Sequence, residues 1–169
     1  MALAVNRSEF LLGDLAAHNR PIRPPWALSE LQFRSQCNSC GDCIEKCPTQ
    51  IVEFGRGRMP IINFNNGECL LCGDCLQVCT TGALHEVEGQ TPWSTRALID
   101  DSRCLAFKGV ECRSCQDPCE ARAIKILAVV GGIFKPLLDS SLCNGCGACY
   151  SVCPANAIEM KSGEPLIKS

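Results

Sequence analysis

Short apolar stretches on either side of glycine turns are the clearest hydrophobic pattern in this chain. Residues 51–64 hold two such stretches around a turn at 55–57, and they predict a β-hairpin. Residues 124–138 repeat the pattern, with largely β-branched residues flanking a Gly-Gly pair at 131–132. Because a short glycine turn between apolar runs is typical of a hairpin, we expect a second one here.

Shorter elements are expected around these hairpins. Residues 83–87 and 157–160 each predict a closing strand, and residues 86–103 predict a linking loop that leads into a strand near residues 98–101. The elements are all small, and strands mix with short turns. The pattern therefore indicates an α+β chain built from small units.

Residues 1–30 are expected to form an N-terminal arm. Residues 1–20 predict a short helix, since Ser8 is a suitable N-cap and the apolar residues after it fall on one side. Residues 20–26 hold three prolines, which enforce extended geometry. Two interpretations stay open for this segment. It is a strap packed on the body through Trp26, or a docking arm, because Trp and Arg are typical interface anchors.

The candidate chemistry lies in sixteen cysteines that fall into four runs with none left over. Three runs have the spacing C-x2-C-x2-C-x3-C, which holds iron–sulfur cubanes in bacterial ferredoxins. In the third run seven residues separate the first two cysteines. In chain order the sixteen are Cys37, Cys40, Cys43, Cys47, Cys69, Cys72, Cys75, Cys79, Cys104, Cys112, Cys115, Cys119, Cys143, Cys146, Cys149 and Cys153.

Three thiolates at steps of three, on a loop with little side-chain bulk, can reach three corners of one cube. The fourth cysteine of such a run ligates the neighbouring cluster in two-cluster ferredoxins. We therefore expect four [4Fe–4S] clusters with crossed ligand sets. Set one is Cys37, Cys40, Cys43 and Cys79; set two is Cys69, Cys72, Cys75 and Cys47; set three is Cys104, Cys112, Cys115 and Cys153; set four is Cys143, Cys146, Cys149 and Cys119.

The four runs make two pairs, each a cluster–hairpin–cluster unit of roughly fifty residues. Such an internal repeat predicts two tandem bacterial dicluster (2[4Fe–4S]) ferredoxin-like modules rather than separate fingers. The expected division is an N-terminal arm at 1–30, a first module at 31–88 and a second module at 89–169.

Zinc and disulfides are the rival explanations for so many cysteines. Zinc held by four cysteines usually takes two separated C-x2-C pairs, whereas here three cysteines crowd each loop. Disulfides need an oxidising compartment. The start of the chain has neither the cationic region nor the apolar segment of an export signal, so we expect a cytoplasmic protein.

Composition and charge fit clusters that replace an apolar core. Among 169 residues there are six Phe, two Trp and one Tyr, so a large hydrophobic interior is not expected. The formal net charge is -2. Loaded clusters would bring it to about -10, which argues against a nucleic-acid partner. No run approaches the ~18 apolar residues of a membrane span.

Motifs for other chemistry are missing from the sequence. There is no G-x-G-x-x-G nucleotide fingerprint and no Ser/His/Asp arrangement at a recognisable spacing. His18 and His85 are the two histidines, and we interpret both as ordinary residues rather than ligands. We therefore expect electron storage and transfer, with no catalytic residues.

The irregular third run carries a family resemblance. It reads Cys-Leu-Ala-x3-Val-Glu-Cys-Arg-x-Cys-Gln-Asp-x-Cys-Glu over residues 104–120. Together with Arg7, the Arg-Pro-Pro-Trp segment at 23–26, Pro60-x3-Phe64-x4-Cys69 and the loop at 143–149, it resembles the NapF-type ferredoxins of periplasmic nitrate reductase systems. The resemblance covers nearly the whole chain.

The resemblance implies a cytoplasmic iron–sulfur accessory protein. It would bind the catalytic molybdenum subunit of periplasmic nitrate reductase before export and load or reduce the cluster of that subunit; a redox donor is a second candidate partner. By the same resemblance, residues 23–26 become a candidate contact with that subunit. Two alternatives stay open: a general electron carrier or electron-transfer subunit of another oxidoreductase, and a sensor of oxygen or redox state.

Overall fold

A computed structural model describes residues 21–129 and 133–162. The predicted helix at 1–20 and the Gly-Gly turn at 131–132 lie outside these residues. The described helices are short: α1 Glu30–Gln36, α2 Asp42–Glu45, α3 Asp74–Gln77 and α4 Ala148–Ser151. The strands are β1 Val52–Phe54, β2 Pro60–Ile62, β3 Thr95–Ile99, β4 Ile124–Val129, β5 Ile133–Leu138 and β6 Ile158–Ser162. This mixture of short helices and strands confirms the α+β class.

Both predicted hairpins are present. Strands β1 and β2 pair antiparallel, with Val52 opposite Ile62, and β4 and β5 pair antiparallel, with Ile124 opposite Leu138. Gly57 lies in the first turn with a φ of 68°, a left-handed conformation that glycine adopts without a steric penalty. Each hairpin connects one cysteine run to the next.

The linker provides a strand earlier than predicted. Strand β3 covers Thr95–Ile99 and pairs antiparallel with β6, with Ile99 opposite Ile158. The strand does not continue through residues 100–101, because the Asp100 carboxylate accepts hydrogen bonds from the backbone N–H and the hydroxyl of Ser102 and turns the chain. The linker and the end of the chain thus form one small sheet.

The predicted closing strand at 83–87 is wrong. Leu84 makes one isolated bridge with Ala27, flanked by hydrogen bonds from Leu28 N–H to Ala83 and from His85 N–H to the carbonyl of Trp26. The partner of this segment is therefore the proline-rich stretch. Since proline has no N–H to donate, that stretch cannot extend the pairing into a strand ladder.

Residues 21–29 lie against the body, as the strap interpretation expects. Pro24 and Pro25 are fully buried, and Trp26 packs beside Phe33. The side chain of Arg23 is 10 % exposed, and its guanidinium donates to both carboxylate oxygens of Glu30. The helix that begins at Glu30 was not predicted, and its Phe33 is fully buried.

Three small cores hold the fold together, and cysteines occupy places in all of them. The first consists of Ile51, Val52, Ile62, Phe64 and Trp93. The second is centred on Phe33, and the third on Ile124 and Ile158. Trp93 lies after the first module, yet it packs in the core formed by residues of that module. The two halves of the chain therefore share this core. None of the described helices has the length and apolar character needed to cross a bilayer.

Candidate metal centres

Three of the cysteine runs share a helix start between their second and third cysteines. Gly41, Gly73 and Gly147 are the N-caps of α2, α3 and α4, with φ values of 96°, 83° and 83°. A left-handed residue there turns the loop into the helix at once, and glycine has no Cβ to oppose that turn. The third cysteine of each run then stands on the first turn of its helix.

A second backbone feature repeats in all four runs, including the irregular third one. The residue three positions after the last cysteine has a positive φ, and its N–H donates to the carbonyl oxygen of that cysteine. These residues are Gln50, Gly82, Arg122 and Asn156. The third run therefore ends with the same local geometry as the regular runs. Sequence analysis missed these positions because only one of the four is glycine.

The thiols of the first two runs come together in the crossed manner. The charges of Cys40, Cys37 and Cys79 all act on the thiol of Cys43, which places the last cysteine of the second run beside the first run. One cavity is lined by Cys47, Cys69, Cys72 and Cys75, that is, by every member of set two.

The last two runs show the same exchange. A second cavity is lined by all four members of set three: Cys104, Cys112, Cys115 and Cys153. Besides burial, the thiols of Cys146, Cys143, Cys115 and Cys119 raise the pKa of Cys149. Cys146, Cys143 and Cys119 are the other members of set four, and Cys115 belongs to the adjacent set three. The last cysteine of each run thus lies near the neighbouring run of its half, as the crossed ligand sets require.

The spacing of the thiols bears on the zinc alternative. Among residues 21–129 and 133–162, no three His, Cys, Asp or Glu side chains are placed to hold a metal ion together. A zinc ion needs its thiolates about 2.3 Å from one point. A cubane spreads its four thiolates over four different irons, so its ligands surround a cavity instead of one point. The grouping around cavities fits a cluster better than a single ion.

Burial makes the unligated thiolates costly. It is the main cause that raises the pKa of Cys75 and of Cys149 to about 12, and neighbouring thiols add to it. Burial likewise raises the pKa of Cys43, Cys69 and Cys115 to about 11. Such thiols remain protonated near neutral pH unless a cation compensates the charge. Ligation by iron supplies that compensation and releases the protons.

Several cysteine sulfurs accept hydrogen bonds from the backbone. Leu71, Leu84 and Ala157 donate N–H groups to Cys69, Cys79 and Cys153 at 3.4, 3.3 and 3.2 Å. Hydrogen bonds to sulfur favour the anionic form and tune the potential of a cluster.

The surroundings of Cys47 favour its thiolate form. Burial raises the pKa of Cys47, but hydrogen bonds from the Thr49 hydroxyl and from the backbone of Val52 and Ile51 outweigh it, so the pKa is lowered. These donors all come from the segment after the run. Cys47, Cys79 and Cys153, the last cysteines of the three regular runs, thus have donors from the segments that follow them.

Other candidate residues take no part in these groups. His85 is exposed, and His18 lies outside the described residues. Two aromatic residues that sequence analysis did not connect to the sites, Phe64 and Trp93, lie next to the fourth run, with their ring centroids 6.0 Å apart. The signal available in the sequence was the position of Trp93 in the linker.

Two iron–sulfur domain families match parts of this chain. The domain family described as "4Fe-4S dicluster domain" matches residues 36–83, and "4Fe-4S binding domain" matches residues 136–159. The third cysteine run lies between these two matches. The "Ferredoxin-type protein NapF" of Escherichia coli (strain K12) is 40% identical over 158 residues, which cover 94% of this chain and 95% of that protein. The chain belongs to the NapF family of ferredoxin-type proteins.

Further relatives agree with this assignment. The "Ferredoxin-type protein NapF" of Haemophilus influenzae is 48% identical over 139 residues, covering 82% of this chain and 78% of that protein. The "Methylamine utilization ferredoxin-type protein MauM" of Methylobacillus flagellatus is 31% identical over 165 residues, covering 85% and 70%. The resemblance seen in the sequence is confirmed. This NapF-family chain is an iron–sulfur protein with 4Fe–4S sites, and ferredoxin-type proteins of this kind carry electrons and do not catalyse reactions.

Proposed function

We propose that this NapF-family chain holds four [4Fe–4S] clusters, one in each crossed cysteine set, in two dicluster modules at 31–88 and 89–169. The observation that carries the proposal is the composition of the two cavities. Each is lined by all four cysteines of one crossed set, set two in the first module and set three in the second. The thiols of sets one and four are grouped by the same exchange.

When bound, a [4Fe–4S] cluster takes up and releases single electrons. The residues of this chain bind it, shield it and adjust its surroundings. The thiolates are the ligands, and the N–H groups of Leu71, Leu84 and Ala157 stabilise the negative charge on sulfur. All members of a set are ligands in this proposal, so no iron corner is left for a substrate.

The proposed role is that of a cytoplasmic accessory protein. The chain binds the catalytic molybdenum subunit of periplasmic nitrate reductase before its export, and assists maturation by loading or reducing the cluster of that subunit. Membership of the NapF family supports this proposal. The acidic character expected of the loaded chain favours a protein partner over nucleic acid.

Similarity to a second named family favours one alternative. A protein named for methylamine utilization shares the scaffold at 31% identity over 85% of this chain. A similar sequence therefore occurs in a protein named for different metabolism. The alternative is a general polyferredoxin, or an electron-transfer subunit of another oxidoreductase.

The test is anaerobic purification of the full chain, followed by iron and sulfide analysis and by capture of partners from native cytoplasm. Four clusters require about sixteen irons per chain. About eight irons, or stoichiometric zinc, would contradict the four-cluster proposal. Capture of the unexported catalytic subunit supports the accessory role, whereas capture of several unrelated reductases without that subunit supports the general carrier.

A further inference from the structure

We propose that the contact between Cys69 and Cys146 is the junction that couples the two halves of the chain, so that the four sites form one line in the order one, two, four, three. The proposal rests on the four-cluster function above. It adds an order of sites and the residues that fix it, neither of which follows from the cysteine spacing.

Contacts inside each half set the first and last steps of the line. Cys75 of set two is buried in the core that also contains Cys37, Cys43 and Cys79 of set one. In the other half, Cys149 of set four is buried in the core that also contains Cys115 and Cys153 of set three. Each half therefore contains one pair of adjacent sites: sets one and two in the first half, and sets four and three in the second.

The contact between the halves joins set two to set four. The backbone N–H of Cys69 donates a hydrogen bond of 2.8 Å to the carbonyl oxygen of Cys146. Both residues are ligands in the proposed sets. A continuous path therefore leads from Sγ, Cβ, Cα and N of Cys69 across one hydrogen bond to O, C, Cα, Cβ and Sγ of Cys146.

Close packing holds this junction in place. Phe64 is 4 % exposed, and its ring lies so close to Gly147 that an added Cβ there would overlap the ring edge and lie 2.9 Å from Cγ. The centroids of Trp93 and Tyr150 each lie 6.0 Å from that of Phe64. Glycine at 147 and an aromatic ring at 64 together let the fourth run approach the second.

The order has a consequence for the ends of the line. Sets one and three are the two ends of the line. Set one is adjacent to set two, and set three is adjacent to set four. Cys43 of set one also packs against the core that contains Trp93, so set one approaches the second half as well. The Cys69–Cys146 contact differs because it joins two ligand residues directly by a hydrogen bond, and we expect electrons to move between the halves there. Phe64 is a positioning residue for that contact.

The decisive experiment locates the irons directly. Crystals of the anaerobically loaded full chain are measured at the iron absorption edge, and the four anomalous peaks are assigned to their cysteine sets. We expect the shortest separation between the halves to join sets two and four. A shorter separation between any other pair across the halves would overturn the proposal. An iron count below about sixteen would instead contradict the four-cluster function.

A solution measurement tests the role of Phe64. The full chain, F64L and the matched control F134L, which changes an exposed ring in the β4–β5 hairpin, are loaded and fully reduced for electron paramagnetic resonance. Magnetic interactions between the two clusters of one half are expected to be the same in all three samples. We expect F64L to lose part of the interaction broadening at unchanged iron content, and F134L to match the unaltered chain. Identical spectra for F64L and the unaltered chain would contradict the positioning role.

If F64L loses iron, F64M serves as the second variant, because a flexible methionine side chain fills much of the space of the ring. Reduced broadening in F64M with full iron content supports the positioning role, and broadening equal to that of the unaltered chain would contradict it.

Discussion

The indole N–H of Trp93 donates a hydrogen bond of 2.7 Å to the carbonyl oxygen of Asn144, 51 positions further along the chain. Asn144 lies directly after the first cysteine of the fourth run, and its own side chain accepts from the N–H of Cys146. One linker residue thus fixes the loop that presents set four. Trp93 is 9 % exposed whereas Asn144 is exposed, so this bond is part-buried.

Replacing Trp93 with Phe should weaken the fourth site. The substitution keeps a ring beside Phe64 but removes the donor to the carbonyl of Asn144. Because Asn144 is exposed and water can replace the donor, we expect a cost of about 0.5–1.5 kcal/mol. We expect clusters to be lost faster in denaturant. The loss is monitored by visible absorbance under anaerobic conditions. W93A should be worse, since it also removes the packing. Equal rates for W93F and the unaltered chain would show that the bond contributes nothing.

The local pattern of the chain predicted its hairpins and the shared loop of three cysteines in each regular run, because both depend on short spacings; the fourth cysteine of each set was assigned from the rule for two-cluster ferredoxins. Three cysteines spaced three residues apart lie on one loop whatever the position of that loop in the fold. Two apolar runs joined by a glycine turn pair with each other. The pairing of β3 with β6 was not predictable in this way. Thr95 and Ser162 lie opposite each other although they are far apart in sequence.

The strap and the left-handed residues illustrate two other limits. Residues 83–87 are apolar enough for a strand, but the segment that faces them contains prolines and cannot pair along its length. Arg122 has a φ of 51°, which nothing in its residue type indicates. Tertiary packing determines both features, so a local pattern does not reveal them.

The strap is expected to be structural, and Arg23 tests this. Its guanidinium donates to Glu30 and to the carbonyl of Pro60, and it lies 5.0 Å from the ring centroid of Phe33. Arg34 also donates to Glu30 but is half exposed. Burial raises the pKa of Glu30, yet hydrogen bonds from these two arginines outweigh it and lower the pKa below 4.5.

We expect R23Q to destabilise the loaded chain by about 1–2 kcal/mol, since charged hydrogen bonds are lost from a nearly buried position. The matched variant R34Q should change stability by less than about 0.5 kcal/mol, as is usual for an exposed ion pair. Cluster loss in denaturant measures both. If R23Q instead retained full stability and lost capture of the nitrate reductase subunit, the docking-arm interpretation would replace the strap.

The crossed ligand sets predict which substitutions give the same spectrum. C79A and C40A should damage the same site, because both residues belong to set one, and C47A and C72A should damage the site of set two. Each variant should lose up to about four irons per chain. Difference spectra from Mössbauer spectroscopy or electron paramagnetic resonance show whether two variants lose the same signals. This comparison does not require each signal to be assigned to a site first. If the C79A spectrum matched that of C72A, the ligands would not be crossed.

The left-handed residue after each run predicts an unusual response to substitution at Asn156. This residue is exposed, and its φ is 48°, so its backbone conformation determines the effect more than packing does. A β-branched side chain is strongly disfavoured there, and N156V should cost about 1–2 kcal/mol. N156G should be nearly neutral, since glycine adopts this conformation freely at an entropic cost of at most about 1 kcal/mol.

The measurement is again the rate of cluster loss in denaturant, with N156A as an intermediate case. A Cβ without branching should give a rate between those of the glycine and valine variants, because the three differ in the steric cost of a positive φ at one exposed position. The same order is expected at Arg122, where the irregular third run adopts the same turn. Equal rates of cluster loss for the valine and glycine variants at Asn156, but not at Arg122, would show that the two turns differ in solution. That result would contradict a left-handed residue after all four runs.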